Sequence, residues 1–227
     1  MCGRFLLEPR DPQVVRSFFE LEAEQEWEPR WNVAPTQDAP IVLRTASGGR
    51  VLARLRWGLV PAWAKEAAIG SRMINARAET AREKPSFRAA FRTRRCLVPA
   101  TGWYEWQRVV PRKQPWLLRR AGAEFTPFAG LWEAWRDPVG GSPLATFTIL
   151  TTAAAPALAD VHERMPVVLE PADFARWLDT PEDRADDLKG LLAPGADLPW
   201  ERIPVSARVN NPRHDGPDCA QPAPPSP

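Results

Sequence analysis

Cys96-Leu97-Val98-Pro99-Ala100-Thr101-Gly102-Trp103-Tyr104-Glu105-Trp106-Gln107 is the stretch whose reading decides how this chain folds. A compact apolar run stops at a Thr-Gly turn and resumes as an aromatic run, the pattern of two short strands joined by a turn. Strand alternation puts Trp103 and Glu105 on one face and Tyr104 and Trp106 on the other. A carboxylate on a buried face is costly, and its pKa rises unless an opposite charge meets it. Glu105 is therefore read either as half of a structural salt bridge to one of the many arginines or as a functional acid.

Working outward, the same strand-and-turn grammar continues on both sides. Phe5-Leu6-Leu7, residues 41–44 and residues 51–57 read as strands upstream, with Gly48-Gly49 as the turn between the last two. Residues 116–118, 125–132, 146–152 and 167–169 read as strands downstream. Helices are fewer. Asp11-Pro12 supplies an N-cap and a proline at the first helical position, and Val14, Val15, Phe18, Phe19 and Leu21 recur at helical spacing, which predicts a helix near 12–21. Pro171 opens an amphipathic helix through 178, with another short one over 183–192. The expectation is an α+β fold: a single domain over residues 1–210, built on an antiparallel or mixed, barrel-like sheet with flanking helices. Residues 211–227 are rich in Pro, Asp, Gly and Ala, and are expected to be a disordered tail, so His214 and Cys219 receive no role.

Composition narrows the function classes. The 227 residues are 44% hydrophobic and 26% charged, with a net charge of +2 that by itself implies no nucleic-acid partner. The charge is uneven, however. Between Arg72 and Arg95, eight basic residues face only Glu79 and Glu83, leaving +6, more than the whole chain carries. That stretch is the best candidate for an anion-binding face, although a charge run is commonly just a solvated surface. Three cysteines at Cys2, Cys96 and Cys219 make no disulfide framework. No apolar run reaches the length of a membrane span, and no signal-peptide pattern opens the chain. A reduced, cytoplasmic protein is expected, with residue 2 close to the mature start.

Several chemistries lack their motifs. There is no GxGxxG or Walker loop, no CxxC pair, no HExxH and no GxSxG elbow, and two histidines do not supply the usual zinc set. No metal and no cofactor are expected. The reactive groups that remain are Cys2, Glu105 and His162, with amides such as Asn75. Cys2 follows Met1, and a small second residue favours initiator removal. It is either an ordinary second residue or, once Met1 leaves, a free 1,2-aminothiol. The α-amine titrates near ~7.7–8.0 and the thiol near ~8.5, so such a pair can condense with an aldehyde and close to a thiazolidine. His162 likewise reads as a satisfied structural histidine or as a catalyst.

Seven stretches in order carry a resemblance: Met1-Cys2-Gly3-Arg4-Phe5, Asn32-Val33-Ala34-Pro35-Thr36, Trp57-Gly58-Leu59-Val60-Pro61, Asn75-Ala76-Arg77-Ala78-Glu79-Thr80, Cys96-Leu97-Val98-Pro99-Ala100, Gly102-Trp103-Tyr104-Glu105-Trp106 and His162-Glu163-Arg164-Met165-Pro166. Together they resemble the SRAP (SOS response-associated peptidase) family over residues 1–210. The resemblance implies a protein that senses abasic sites in single-stranded DNA and links itself to them through processed Cys2 as a thiazolidine. It implies hydrogen bonding by Asn75, proton transfer by Glu105 and acid or sugar-orienting work by His162. Arg4, Arg77 and Arg164 would hold phosphates. Trp106 would stack on or wedge beside a base, and Trp63 joins it on physical grounds as a platform, since base stacking is worth about 1–3 kcal/mol. The expected partner is abasic single-stranded DNA, bound by a monomer that associates with the nucleoid when DNA is damaged. A lyase side activity and self-removal of Met1 fit the same groups. The competing readings are a cysteine peptidase or N-terminal nucleophile amidohydrolase, and a non-covalent single-strand-binding module.

Overall fold

Both strands of the opening stretch form. Arg95–Val98 and Gly102–Val109 are separate strands, and each enters a different sheet. The computed structural model describes residues 2–8, 10–195 and 198–223. In chain order the strands are β1 (Phe5–Leu7), β2 (Arg30–Val33), β3 (Asp38–Arg44), β4 (Arg50–Trp57), β5 (Asn75–Arg77) and β6 (Arg95–Val98). They continue as β7 (Gly102–Val109), β8 (Arg112–Arg120), β9 (Phe128–Trp135), β10 (Leu144–Ala153), β11 (Arg164–Pro166) and β12 (Trp200–Pro204). The α-helices are α1 (Pro12–Phe19), α2 (Ala78–Ala81), α3 (Arg88–Thr93) and α4 (Phe174–Asp179).

One sheet runs β12-β8-β7-β1-β2, and its pairs are antiparallel. The other runs β11-β10-β4-β3-β6-β9, and β9 returns to pair with β10. Strands β10, β4, β3, β6 and β9 therefore close into a barrel, mixed because β4 and β10 run parallel. Closure removes the exposed edges that an open sheet would present. The fold is α+β, a closed five-stranded mixed barrel beside an antiparallel sheet with a few helices.

Aromatic rings join the two layers. Phe5 from the open sheet meets Trp57 of the barrel edge-on at 5.2 Å, and Trp103 meets Phe128 at 6.0 Å. All four are buried to 0% exposure, and a buried aromatic side chain removes more apolar area from water than any aliphatic one. Helix α1 opens as the sequence predicts: the Asp11 carboxylate accepts the Gln13 N–H at 2.8 Å, and proline follows at the first turn. It stops at Phe19 instead of residue 21, because Glu20 adopts a left-handed conformation (φ 54°) that ends it. Phe19 then stacks on Phe174 and meets Phe125.

The region that carries Asn75 is pinned by backbone contact. Gly58 has φ +125°, and a Cβ there would lie 2.5 Å from the Gly70 carbonyl oxygen. Only glycine permits that approach. Held close, Leu59 N–H reaches Met73 O and Trp57 Nε1 reaches Ile74 O at 2.8 Å. Strand β5 follows directly, parallel to β10 with Asn75 opposite Ile149.

Further expectations differ from the structure. The helix expected over 183–192 is a 3-10 helix, Glu182–Leu192. The strand expected at 167–169 lies earlier, at β11, and Val168 makes only an isolated bridge to Phe128. Residues 211–223, expected within a disordered tail, are instead packed on the open sheet. Cys219 is buried in one cluster with Leu6, Tyr104, Leu117, Val205 and Val209, and the Asp215 carboxylate accepts the backbone N–H groups of Trp31 and Asn32. Proline-rich composition lowers the entropy that ordering must overcome, so a few buried side chains and anchored carbonyls suffice. Residues 224–227 lie outside the described residues.

Candidate active site

The chain start is drawn into the space between the two layers. Cys2 is fully buried, in one apolar cluster with Phe5, Trp103, Leu158, Val161 and Met165. Its carbonyl oxygen accepts Nδ2 of Asn75 at 2.7 Å, and its thiol lies 3.9 Å from the Arg4 carbonyl. Burial pushes the thiol pKa well up and the nearby Glu105 adds to this, while the positive charge of the chain start and the Arg4 carbonyl oppose it. At neutral pH the thiol is therefore protonated. The other amide atom of Asn75, Oδ1, is buried with no hydrogen-bond partner among the described residues.

Glu105 reaches the same place from β7. Strand β1 pairs with β7 through Phe5 opposite Trp103 and Leu6 opposite Gly102, and Tyr104 N–H donates to Arg4 O at 3.0 Å. That register brings Glu105 alongside the first residues of the chain. Glu105 is 3% exposed, and burial pushes its pKa up to about 7 against the lowering effect of the chain-start charge. A carboxyl with that value is half protonated near neutrality and can give or take a proton. The alternation predicted for this strand holds for direction. Both faces are nonetheless buried across Gly102–Glu105, because the 205–219 segment covers the Tyr104 side.

His162 follows Val161, which packs in the Cys2 cluster. Its Nδ1 accepts the Arg164 N–H at 2.9 Å, which leaves the proton of a neutral ring on Nε2. Burial first, then the chain-start charge, lowers its pKa, so the ring is neutral at pH 7. Cys2, Asn75, Glu105 and His162 thus converge on the chain start from β5, β7 and the approach to β11.

The arginines and tryptophans divide. Arg4 is half-buried beneath Trp106, its guanidinium carbon 5.9 Å from the ring centroid. Trp106 Nε1 donates to Asn210 Oδ1 at 2.6 Å. Arg77 is exposed at the end of β5. Arg164 is engaged differently, with a two-pronged pair to Glu79 at 2.6 and 2.9 Å and a 2.6 Å bond to Thr151 O. Trp63 is 57% exposed and lines a separate groove with Lys65, Ile69 and Arg72. The +6 stretch is not one continuous basic track. Arg82 pairs with Asp186, Arg92 with Glu182 and Arg94 with Glu133, while Arg95 is buried against main-chain carbonyls that include Trp177 O. The sequence could not show these partners, since each carboxylate is distant along the chain.

Among the described residues, His214, Asp218 and Cys219 form a group whose potential metal-ligand atoms lie within 4.8 Å of one another. Asp218 there already accepts from His214 at 2.8 Å and from Arg208. Sequence reasoning also gave no role to Asn32, Glu79 or Asn210. Of these, Asn32 and Glu79 stand in stretches that carry the family resemblance, and Asn210 left no signal; Asn32 itself lies in β2.

With this geometry in place, the comparisons with known proteins are direct. The chain is 41% identical over 224 residues to abasic site processing protein YoqW of Bacillus subtilis, covering 97% of this chain and 99% of that one. It is 31% identical to abasic site processing protein HMCES of Xenopus tropicalis, covering 96% and 77%. A crystal structure of a protein from Bacteroides thetaiotaomicron superposes with a TM-score of 0.80 at 24% identity, over 98% of this chain and 100% of that one, and shares the fold. The model of the SOS response associated peptidase family matches residues 1–212. The chain belongs to the SOS response associated peptidase (SRAP) family.

Proposed function

We propose that this chain processes abasic sites in single-stranded DNA, by capturing the ring-opened sugar covalently on Cys2 after Met1 has been removed. The observation that carries the reading is the meeting of Cys2, its carbonyl held by Asn75, with a buried Glu105 whose pKa is about 7. The α-amine of Cys2 attacks the sugar aldehyde carbon to give a carbinolamine. Glu105 delivers a proton to the departing hydroxyl, water leaves and an imine forms. The thiol then adds to the imine carbon, its proton passing to the nitrogen, and a thiazolidine results with the net loss of one water. The order follows from the site. A thiol whose pKa is pushed up by burial is a poor first nucleophile but is well placed to close the ring.

The neighbours suit this chemistry. Asn75 Oδ1, buried and unfilled, can accept from a sugar hydroxyl, and neutral His162 can donate from Nε2. Arg4 and Arg77 hold phosphates, and Arg164 does so once Glu79 yields it. Trp106 offers a face to a base, with Trp63 as an outlying platform. Phosphate and stacking contacts carry little sequence information, so recognition follows the missing base. β-Elimination from the imine, assisted by Glu105, accounts for strand cleavage as a side activity. Self-removal of Met1 is the single peptidase turnover in this reading. The raised thiol pKa disfavours a general cysteine peptidase, which needs a thiolate.

Incubation with a single-stranded oligonucleotide bearing one abasic site should give a band that survives SDS, and an unmodified oligonucleotide should give none. Persistence of the band in Cys2→Ala would sink the reading.

A further inference from the structure

Asn32 is fully buried, and both ends of its side chain are used. Nδ2 donates to the carbonyls of Val209 at 3.2 Å, Asn211 at 3.0 Å and His214 at 2.8 Å. Oδ1 accepts Nη1 of Arg4 at 2.9 Å. One small amide in β2 therefore ties the segment after β12 to the third residue beyond the chain's first. That segment returns acceptors to the same arginine. Val209 O takes Arg4 Nη1 at 2.7 Å, and Asn210 O takes Nη2 at 3.4 Å. The Asn210 side chain meanwhile fixes Trp106, against whose face Arg4 lies.

Each of these acceptors is a neutral oxygen. A guanidinium held this way is fixed in direction without losing its charge, because an amide or carbonyl oxygen brings only a partial charge. A carboxylate in the place of the Asn32 amide would cancel that charge, and it would take one donor from each of three carbonyls of the segment after β12, of which Val209 O keeps Arg4 and Asn211 O keeps the His214 N–H. Arg164 is the internal contrast, since Glu79 meets it with two oxygens.

We infer that Asn32 is the positioning residue that holds Arg4 oriented and uncompensated for an anionic group of the substrate beside Cys2. Under the reading above, on which this inference rests, that group is a phosphodiester of single-stranded DNA. Asn32 itself touches no substrate; it acts through Arg4.

The test is equilibrium binding of a single-stranded oligonucleotide without an abasic site, measured across salt concentrations, so that Cys2 chemistry does not enter. The unsubstituted chain is compared with Asn32→Asp, Asn32→Ser, Arg4→Ala and the Asn32→Ser/Arg4→Ala double variant. Asn32→Asp should weaken binding about tenfold and reduce the log–log salt slope by about 0.7, the signature of one lost single-strand phosphate contact, as Arg4→Ala does. Asn32→Ser should weaken binding about threefold alone and add nothing in the Arg4→Ala background, because the two residues act as one unit. A lowered melting temperature with an unmoved slope in Asn32→Asp would mean a merely structural role and overturn the inference. Should Asn32→Asp fail to fold, the Asn32→Ser cycle decides alone, and full additivity overturns the inference. Absence of any binding by the unsubstituted chain removes the DNA reading and this inference with it, whereas binding with additive effects removes this inference only.

Discussion

Two regions of the molecule treat charge in opposite ways. Around Cys2 the charged groups are withdrawn from water: Arg4 is half-buried and leans on neutral amide and carbonyl oxygens, while Glu105 is buried beside the positive charge of the chain start. Along the flank formed by α3 and the turns of 182–192, charges are exposed and meet opposite charges, as in Arg82 with Asp186, Arg92 with Glu182 and Arg184 with Asp187. A compensated charge in water has little left to offer a ligand and adds little to stability. A buried charge without a counter-ion costs folding free energy and keeps its field for whatever binds next. The difference separates surface from site more cleanly than charge density does. The densest basic stretch of the sequence supplies much of the flank, and the site takes from it chiefly Arg77.

The largest expected effect tests the buried side. Glu105→Gln keeps the shape and removes the titration, so covalent capture should slow about 100-fold or more. Stability should move the other way. The folded carboxyl, at about 7 against an ordinary 4.5, binds its proton more tightly than the unfolded one. Its ionisation therefore destabilises the fold increasingly as pH rises through 7. Glu105→Gln should be more stable than the unsubstituted chain at pH 8 by up to about 3 kcal/mol, shrinking toward pH 5. Thermal unfolding at the two pH values checks this, and equal melting curves at pH 8 would remove the burial argument.

A second test sets two arginines of the same basic stretch against each other. Arg77→Ala should weaken single-strand binding about fivefold on any sequence and lower the salt slope by about 0.7. Arg92→Ala should leave the slope unchanged and shift the melting temperature by less than about 2 °C. Similar slopes for the two variants would erase the contrast between site and flank. The smallest effect comes from crossing the boundary. Glu79→Gln releases Arg164 from its carboxylate and should tighten single-strand binding about threefold, with a steeper salt slope. An unchanged slope would show that Arg164 serves the fold alone.

Much of this was readable from residue order. The turn at Thr101-Gly102, the N-cap at Asp11 and the alternation through Trp103 and Glu105 are local signals, and the strands and first helix follow them. Glu105 stood out because a carboxylate among aromatics conflicts with its surroundings, and such conflicts mark sites. What stayed hidden was long-range. Nothing near Arg82 or Arg92 announces Asp186 or Glu182, so the basic stretch looked uniform. The 211–223 segment looked disordered by composition, and its order rests on partners distant along the chain: its carbonyls meet Asn32, the Asp215 carboxylate takes the Trp31 and Asn32 N–H groups, and Cys219 packs with Tyr104. Asn32 was visible as part of a motif, yet its work depends on partners some 180 residues away.

The claim at the centre is that the amine and thiol of Cys2 both end on one carbon of the sugar. Intact-mass and peptide-mapping spectrometry of the purified crosslink to an abasic oligonucleotide reads this directly. The account predicts that Met1 is absent, that the linked residue is Cys2 and that the adduct weighs one water less than its two parts. It should also resist borohydride, because a closed ring has no imine to reduce. A crosslink on a chain that still carries Met1, or one attached at any other residue, would contradict it.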